Sequence, residues 1–246
     1  MDVEISEARE ALERVFGFAG FRPGQQEILE AVFAGDDVLA VMPMGSVKSL
    51  CYQLPAVVRR GLTIVVSPLI ALMRDQVHQL LARGIAAAAL HASNSGEDNA
   101  AIEAGLRRGR YRLLYVAPER LMRPDIPALL RESGANVLAI DEAHCVSLWG
   151  HNFRPEYSDL PQAAQAIGNL QLIAVTATAD APTCADIVHK LFAAAKWLAR
   201  RPQSQTARSR AEPKAASLRD LGVGPIKVAR YGAIFLAAIA NYNSDA

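Results

Sequence analysis

Six short apolar runs recur along the chain: Val38–Met42, Thr63–Val66, Ala86–Leu90, Arg112–Val116, Val137–Ile140 and Gln171–Val175. Runs this short, apolar almost throughout, suit strands buried on both faces. Longer amphipathic stretches separate them. Ile70–Ala82 places Leu72, Met73, Val77, Leu80 and Leu81 on one face at helical spacing, and Asp180–Phe192 does the same with Ile187, Val188 and Leu191. Strand alternating with helix predicts an α/β fold in which helices flank a mostly parallel sheet. Ligands of such sheets sit beyond the carboxyl ends of the strands, so chemistry is to be sought in the loops that follow them.

The rhythm stops near Ala193, and the charge changes with it. Met1 to Ala195 carries 17 Lys and Arg against 22 Asp and Glu, whereas Lys196 to Ala246 carries 9 against 3, so the overall net charge of +1 averages two unlike parts. Arg200–Ser217 has almost no large apolar residue, the composition of a linker or disordered segment. Ile226–Ala240 suits a helix or a strand but has no evident partner to pack against. Residues 1–193 are therefore expected to form the folded domain, and 194–246 an unrelated basic tail, disordered or partly helical.

Cys51, Cys145 and Cys184 stand far apart without a C-x-x-C pair. This argues against a disulfide framework or a thiolate zinc cluster and fits buried thiols in a reducing cytosol. Met1–Arg14 has amphipathic-helix spacing rather than that of a signal peptide. The late apolar run Gly232–Ala240 is far shorter than the roughly 20 residues of a membrane-spanning helix. A cytoplasmic protein with no membrane partner is expected.

Two loops carry candidate chemistry. After Val38–Met42 comes Pro43-Met44-Gly45-Ser46-Val47-Lys48-Ser49 and then a helix. A tight loop ending in Lys-Ser at a helix N-terminus can cradle phosphates: backbone N–H groups and the helix dipole bind the anion, lysine adds charge, and the serine hydroxyl reaches Mg²⁺. The pattern G-x-x-x-x-G-K-[ST] is not met, since Met42 and Val47 occupy its glycine positions, and an ordinary strand-to-helix turn is the alternative. After Val137–Ile140 comes Asp141-Glu142-Ala143-His144. Here Asp141 could hold Mg²⁺ and Glu142 could orient a water, or the pair could cap a following helix.

Further motifs give these loops a context. Phe16-Gly17-Phe18, Phe21-Arg22-Pro23-Gly24-Gln25, Lys48-Ser49-Leu50-Cys51-Tyr52-Gln53, Ser67-Pro68-Leu69-Ile70 through Gln76, Tyr115-Val116-Ala117-Pro118-Glu119-Arg120, Asp141-Glu142-Ala143-His144, Trp149-Gly150-His151 with Phe153-Arg154-Pro155, and Thr176-Ala177-Thr178-Ala179 follow one another in order. From about Leu12 to Phe192 the chain resembles the first motor domain of RecQ-type ATP-dependent DNA helicases of superfamily 2. The resemblance implies a RecA-like sheet of the P-loop NTPase type, ATP and Mg²⁺ as cofactors, and single-stranded or partly duplex DNA as partner, with 3′ to 5′ movement. It implies that Phe18 stacks on adenine while Arg22 and Gln25 read its edge. Gly45, Lys48, Ser49, Asp141 and Glu142 would handle the triphosphate, with Ser49 and Asp141 on the metal. His144, Trp149, Phe153 and Arg154 would couple DNA to hydrolysis, and Thr176 and Thr178 would connect the two sites. Aromatic rings offer bases a sequence-tolerant platform, although Trp149 and Phe153 could equally be core residues. In a bacterium such a protein would be associated with the nucleoid.

Three departures qualify the implied activity. Met44 and Val47 stand where the family has Thr and Gly, and a β-branched residue beside the lysine predicts weakened or absent ATP binding. Leu148 and Asn152 replace the usual Gln and Asp of the aromatic loop. The stretch after Phe192 is too short for a second motor domain and carries none of its motifs, as expected of a truncated or frame-shifted product. Three readings result: a helicase motor domain that does not unwind DNA by itself, a catalytically dead module binding nucleic acid or a partner, and a non-functional relic.

Overall fold

A computed structural model describes residues 2–147, 154–193 and 227–230. The elements are α1 (Asp2–Arg14), α2 (Gln25–Phe33), β1 (Val38–Val41), α3 (Leu50–Val58), β2 (Leu62–Val66), α4 (Ile70–Ala82), β3 (Ala87–Leu90), α5 (Gly96–Arg107), β4 (Leu113–Val116), α6 (Pro118–Leu121), α7 (Ile126–Glu132), β5 (Ala135–Ile140), α8 (Leu160–Ile167), β6 (Gln171–Thr176), α9 (Ala181–Ile187) and β7 (Lys227–Arg230). The strands form one sheet in the order β3-β4-β2-β5-β6-β1-β7, and every pairing is parallel. The expected α/β fold is the one observed.

The period-two geometry of a strand divides its side chains between two cores. Leu39, Val41, Ile64, Val66, Leu114, Val116, Leu138 and Ile140 meet α5, α7, α8 and α9 on one face. Their alternates Val38, Ala40, Val65, Leu113, Tyr115, Val137 and Ala139 meet α1, α2, α3 and α4 on the other. Burial on both faces is why these runs read as continuously apolar. Each fully buried Leu, Ile or Val contributes about 1.5–3 kcal/mol relative to exposure, so the sheet is a rigid platform for the loops at its carboxyl edge.

Two details of the sequence reading change. Leu81 was expected on the apolar face of α4 but is 54% exposed, while Met73 and Leu80 are buried and Val77 packs beside them. At 3.6 residues per turn position 81 lies about 40° from position 77 but about 80° from 73 and 100° from 80, at the margin of the stripe those three define. The helix expected over Asp180–Phe192 is α-helical only to Ile187 and continues as a π turn over Val188–Ala193. Asp180 starts it by accepting the Thr183 N–H at 2.9 Å, a side-chain N-cap.

Of the expected tail the structure describes only Lys227–Arg230. These residues pair with β1, Val38 opposite Lys227 and Val41 opposite Arg230, so the outer edge of β1 is the partner that the sequence did not reveal. Trp149 and Phe153, with Leu148 and Asn152, lie outside the described residues.

Candidate functional site

Strands β5, β6 and β1 are neighbours, and their carboxyl ends bring the two candidate loops to one edge of the sheet. The loop Met42–Ser49 leaves β1 through a turn in which both the N–H and the hydroxyl of Ser46 donate to the Pro43 carbonyl, at 3.3 and 2.6 Å. Gly45 takes φ +83° and Val47 φ +52°. A β-branched residue in this left-handed region is strained, which is the cost foreseen at the position next to Lys48. The loop feeds directly into α3. Ser49 is the N-cap residue yet makes no side-chain capping bond, and the first turn of α3 holds no acidic residue. Val47, Lys48 and Ser49 direct their N–H groups to no carbonyl of the described residues. An unspent hydroxyl and open N–H groups at a helix start suit an anion.

Gln25 secures this loop. Its side chain is buried, accepts the Arg22 N–H at 2.8 Å, and donates to the Ser46 and Val47 carbonyls at 2.8 and 3.4 Å. Expected to read an adenine edge, it spends its amide on the chain itself. Phe18 is half-buried against the α1–α4 core and Arg22 is exposed.

The second loop is bound from several sides. Asp141 is buried, its Oδ1 accepts the Glu142 N–H at 3.0 Å, and its carbonyl accepts the Tyr157 hydroxyl at 3.3 Å. Glu142 adopts φ +48°. Burial, with the neighbouring Glu142 charge, pushes the Asp141 carboxyl up to about 6 despite the opposing influence of Lys48. Glu142 is shifted the other way, chiefly by its hydrogen bond to His144, and Lys48 also favours its ionised form. The sulfur of Cys145 and the carboxylate of Glu142 raise His144 to about 9, so its imidazole is charged at neutral pH. His144 Nδ1 then donates to Thr176 Oγ1 at 3.0 Å and lies 3.3 Å from Glu142 Oε2.

Thr176 joins the two loops. It is buried, its hydroxyl donates to the Thr178 carbonyl at 3.2 Å, and its own carbonyl accepts the Met42 N–H at 3.0 Å where the first loop begins. Arg154 donates its N–H to the Cys145 carbonyl at 2.9 Å, which fixes the chain on the far side of the undescribed aromatic segment. The structure thus brings together Gly45, Lys48, Ser49, Asp141, Glu142, His144, Thr176 and Thr178. Among the described residues no group of three His, Cys, Asp or Glu side chains could hold a metal by itself. A buried Asp141 carboxylate crowded by the Glu142 charge and an unspent Ser49 hydroxyl nonetheless suit a cation that takes its other ligands from phosphate and water. Cys51, raised to about 12 by burial, and the buried Cys145 fit the expected packing role.

Sequence reasoning assigned nothing to His91, and quoted Ser67 and Arg74 without a role. Ser67 and His91 follow β2 and β3, both are buried, and Ser67 Oγ and His91 Nδ1 have no hydrogen-bond partner. Arg74 reaches His91 Nε2 at 3.4 Å. Their position directly after apolar strands was the available signal.

The DEAD/DEAH box helicase model matches residues 22–187. The chain is 45% identical over 184 residues to the ATP-dependent DNA helicase RecQ of Pasteurella multocida, covering 75% of this chain and 29% of that protein. It is 46% identical over 189 residues to RecQ of Haemophilus influenzae, with 77% and 30% covered. Against the probable ATP-dependent DNA helicase RecS of Bacillus subtilis it is 41% identical over 188 residues, with 76% and 38% covered. The chain therefore spans about a third of the length of these relatives. Mycobacterium smegmatis helicase Lhr, solved with ssDNA and AMP-PNP, shares the fold at TM-score 0.62 and 21% identity, covering 76% of this chain and 26% of that one.

Proposed function

The chain belongs to the DEAD/DEAH box helicases as a RecQ-type N-terminal motor domain, and from that premise we propose that residues 2–193 bind ATP with Mg²⁺ and single-stranded DNA at the carboxyl edge of the sheet. The observation that carries this reading is the link from the Met42–Ser49 loop through Thr176 to His144 and Glu142. Lys48 and the open N–H groups of Val47, Lys48 and Ser49 receive the triphosphate, and Phe18 with Arg22 borders the adenine. Ser49 and Asp141 would hold Mg²⁺, which supplies charge neutralisation on the phosphates. Glu142, kept ionised by His144, accepts a proton from the attacking water. His144 and Thr176 report DNA occupancy to that carboxylate, with Arg154 on the DNA side. Arg74, exposed on α4, offers a further donor to backbone phosphate. The parent activity is 3′ to 5′ unwinding, which needs a second motor domain over this face. The domain described here binds rather than unwinds by itself.

A specific observation also supports the module with impaired hydrolysis: Val47 at φ +52°. Strain of about 1–3 kcal/mol beside Lys48 resists the backbone approach that phosphate requires. Titration of the full chain with Mg–ATP and measurement of DNA-stimulated phosphate release, before and after Val47→Gly, test both readings. Millimolar nucleotide affinity that tightens in the variant supports an impaired motor. Nucleotide binding in neither chain removes the ATP reading. Brisk DNA-stimulated turnover by the unmodified chain removes the impairment.

A further inference from the structure

Three residues that the site does not use meet inside the α1–α4 core. Gln53 follows Lys48-Ser49 on α3, Gln76 lies on α4, and Tyr115 is near the end of β4. Gln53 is 5% exposed and both of its amide hydrogens are engaged: Nε2 donates to Gln76 Oε1 at 2.7 Å and to the Tyr115 hydroxyl at 2.9 Å. Tyr52 packs edge-on against Tyr115 with ring centroids 6.5 Å apart. The knot lies within the apolar α1–α4 core. Apolar groups of the same shape can replace a buried polar pair at little cost or with a gain in stability, so stability alone does not account for it. Each element it ties leads to a different part of the carboxyl edge. The start of α3 carries Lys48 and Ser49. Arg74 stands two residues before Gln76 on α4 and touches His91, while β4 runs on into Ala117–Arg120.

We propose that Gln53 is a positioning residue: its bond to Gln76 locks the helix behind the nucleotide loop to α4, so that nucleotide bound at Lys48 and Ser49 changes the affinity for single-stranded DNA. This rests on the nucleotide and DNA reading above. A bond between two helices transmits only if each ligand biases their shared arrangement, and the bias appears as mutual dependence of the two affinities.

The test is the ratio of oligothymidine dissociation constants of the full chain with and without a saturating non-hydrolysable ATP analogue and Mg²⁺. The unmodified chain is expected to show a ratio of about fivefold or more. Gln53→Met, and Gln76→Leu at a half-buried position where folding is less at risk, are expected to bring it to about one, each single-ligand affinity staying within about twofold. Tyr115→Phe leaves the α3–α4 bond in place and should keep the ratio. An unchanged ratio in both glutamine variants overturns the proposal, and so does a parallel loss of both affinities with the melting temperature, which marks a purely structural role. If the unmodified chain binds both ligands without mutual effect, this proposal alone fails. If it binds neither, the functional reading fails and takes the proposal with it.

Discussion

Two non-glycine residues of the described chain adopt left-handed backbone conformations, and each sits in one of the two site loops: Val47 and Glu142. Their surroundings differ. Around Glu142 the backbone is held by the Asp141 carboxylate on its N–H, by Cys145 donating to its carbonyl at 2.9 Å, and by its side chain against His144. Around Val47 the loop is exposed from Pro43 to Gly45, with Met44 84% accessible; Val47 is half-buried against the core and its carbonyl takes the Leu50 N–H at 3.0 Å, its N–H meets no carbonyl of the described residues, and Gln25 supplies the long-range anchor. Strain persists where neighbouring bonds over-determine it, so the Glu142 loop is built for its conformation. Val47 is imposed on a loop whose conformation suits glycine.

The largest expected difference is chemical. In a Val47→Gly background, Glu142→Gln should lower DNA-stimulated ATP hydrolysis by about 10²–10⁴-fold while nucleotide still binds, as read by phosphate release beside equilibrium titration. An equal loss of binding would assign Glu142 to the nucleotide cradle and erase the distinction between the loops.

Next comes the burial of Asp141. Its carboxyl lies at about 6, above the ordinary value of 3.8, so between those two pH values the folded chain holds a proton that the unfolded chain has released. Stability therefore falls as pH rises through this window, by on the order of 2–3 kcal/mol. In chelating buffer, Asp141→Asn should raise the melting temperature at pH 7 and flatten its fall between pH 4 and 6. A variant less stable than its parent at pH 7 would show that the carboxylate is well solvated or paired.

Much of this arrangement was legible in the sequence because it is local. Double-sided burial wrote β1, β2, β4, β5 and β6 as apolar runs, and strand-then-loop order placed Lys48 and Asp141 at one edge. The strained position was visible as Val47 beside a lysine that needs a close phosphate. What escaped depends on contacts between distant residues. Gln53 and Tyr115 are 62 positions apart, and Gln25 is 21 from Ser46, so no spacing rule joins them. The register of β7 on β1 is likewise a property of the sheet edge rather than of residues 227–230. The exposure of Leu81 follows from which side of α4 the sheet receives, and helical spacing alone admits either neighbour.

Val47→Gly should raise stability by less than the roughly 1–3 kcal/mol of strain it relieves, because glycine also gives the unfolded chain more freedom, and should tighten Mg–ATP binding by up to about tenfold through whatever further strain bound phosphate adds at this position. Titration calorimetry and thermal melting separate the two effects. A stability gain without a gain in affinity would mean that the free loop already holds the conformation nucleotide needs, with the same strain before and after binding.

The smallest effect is the sharpest check on the comparison. Glu142→Gly also removes a left-handed side chain, but it breaks the contact with His144 at 3.3 Å and frees a backbone that its neighbours already hold. Glutamate lacks the β-branching that makes this conformation hardest for valine, so less strain is available to relieve. The net change in stability, followed by thermal melting, should be within about 1 kcal/mol of zero and should be less stabilising than Val47→Gly. A gain as large as that at Val47 would mean that the Glu142 loop is strained in the same sense, and that its hydrogen bonds offset the conformation rather than select it.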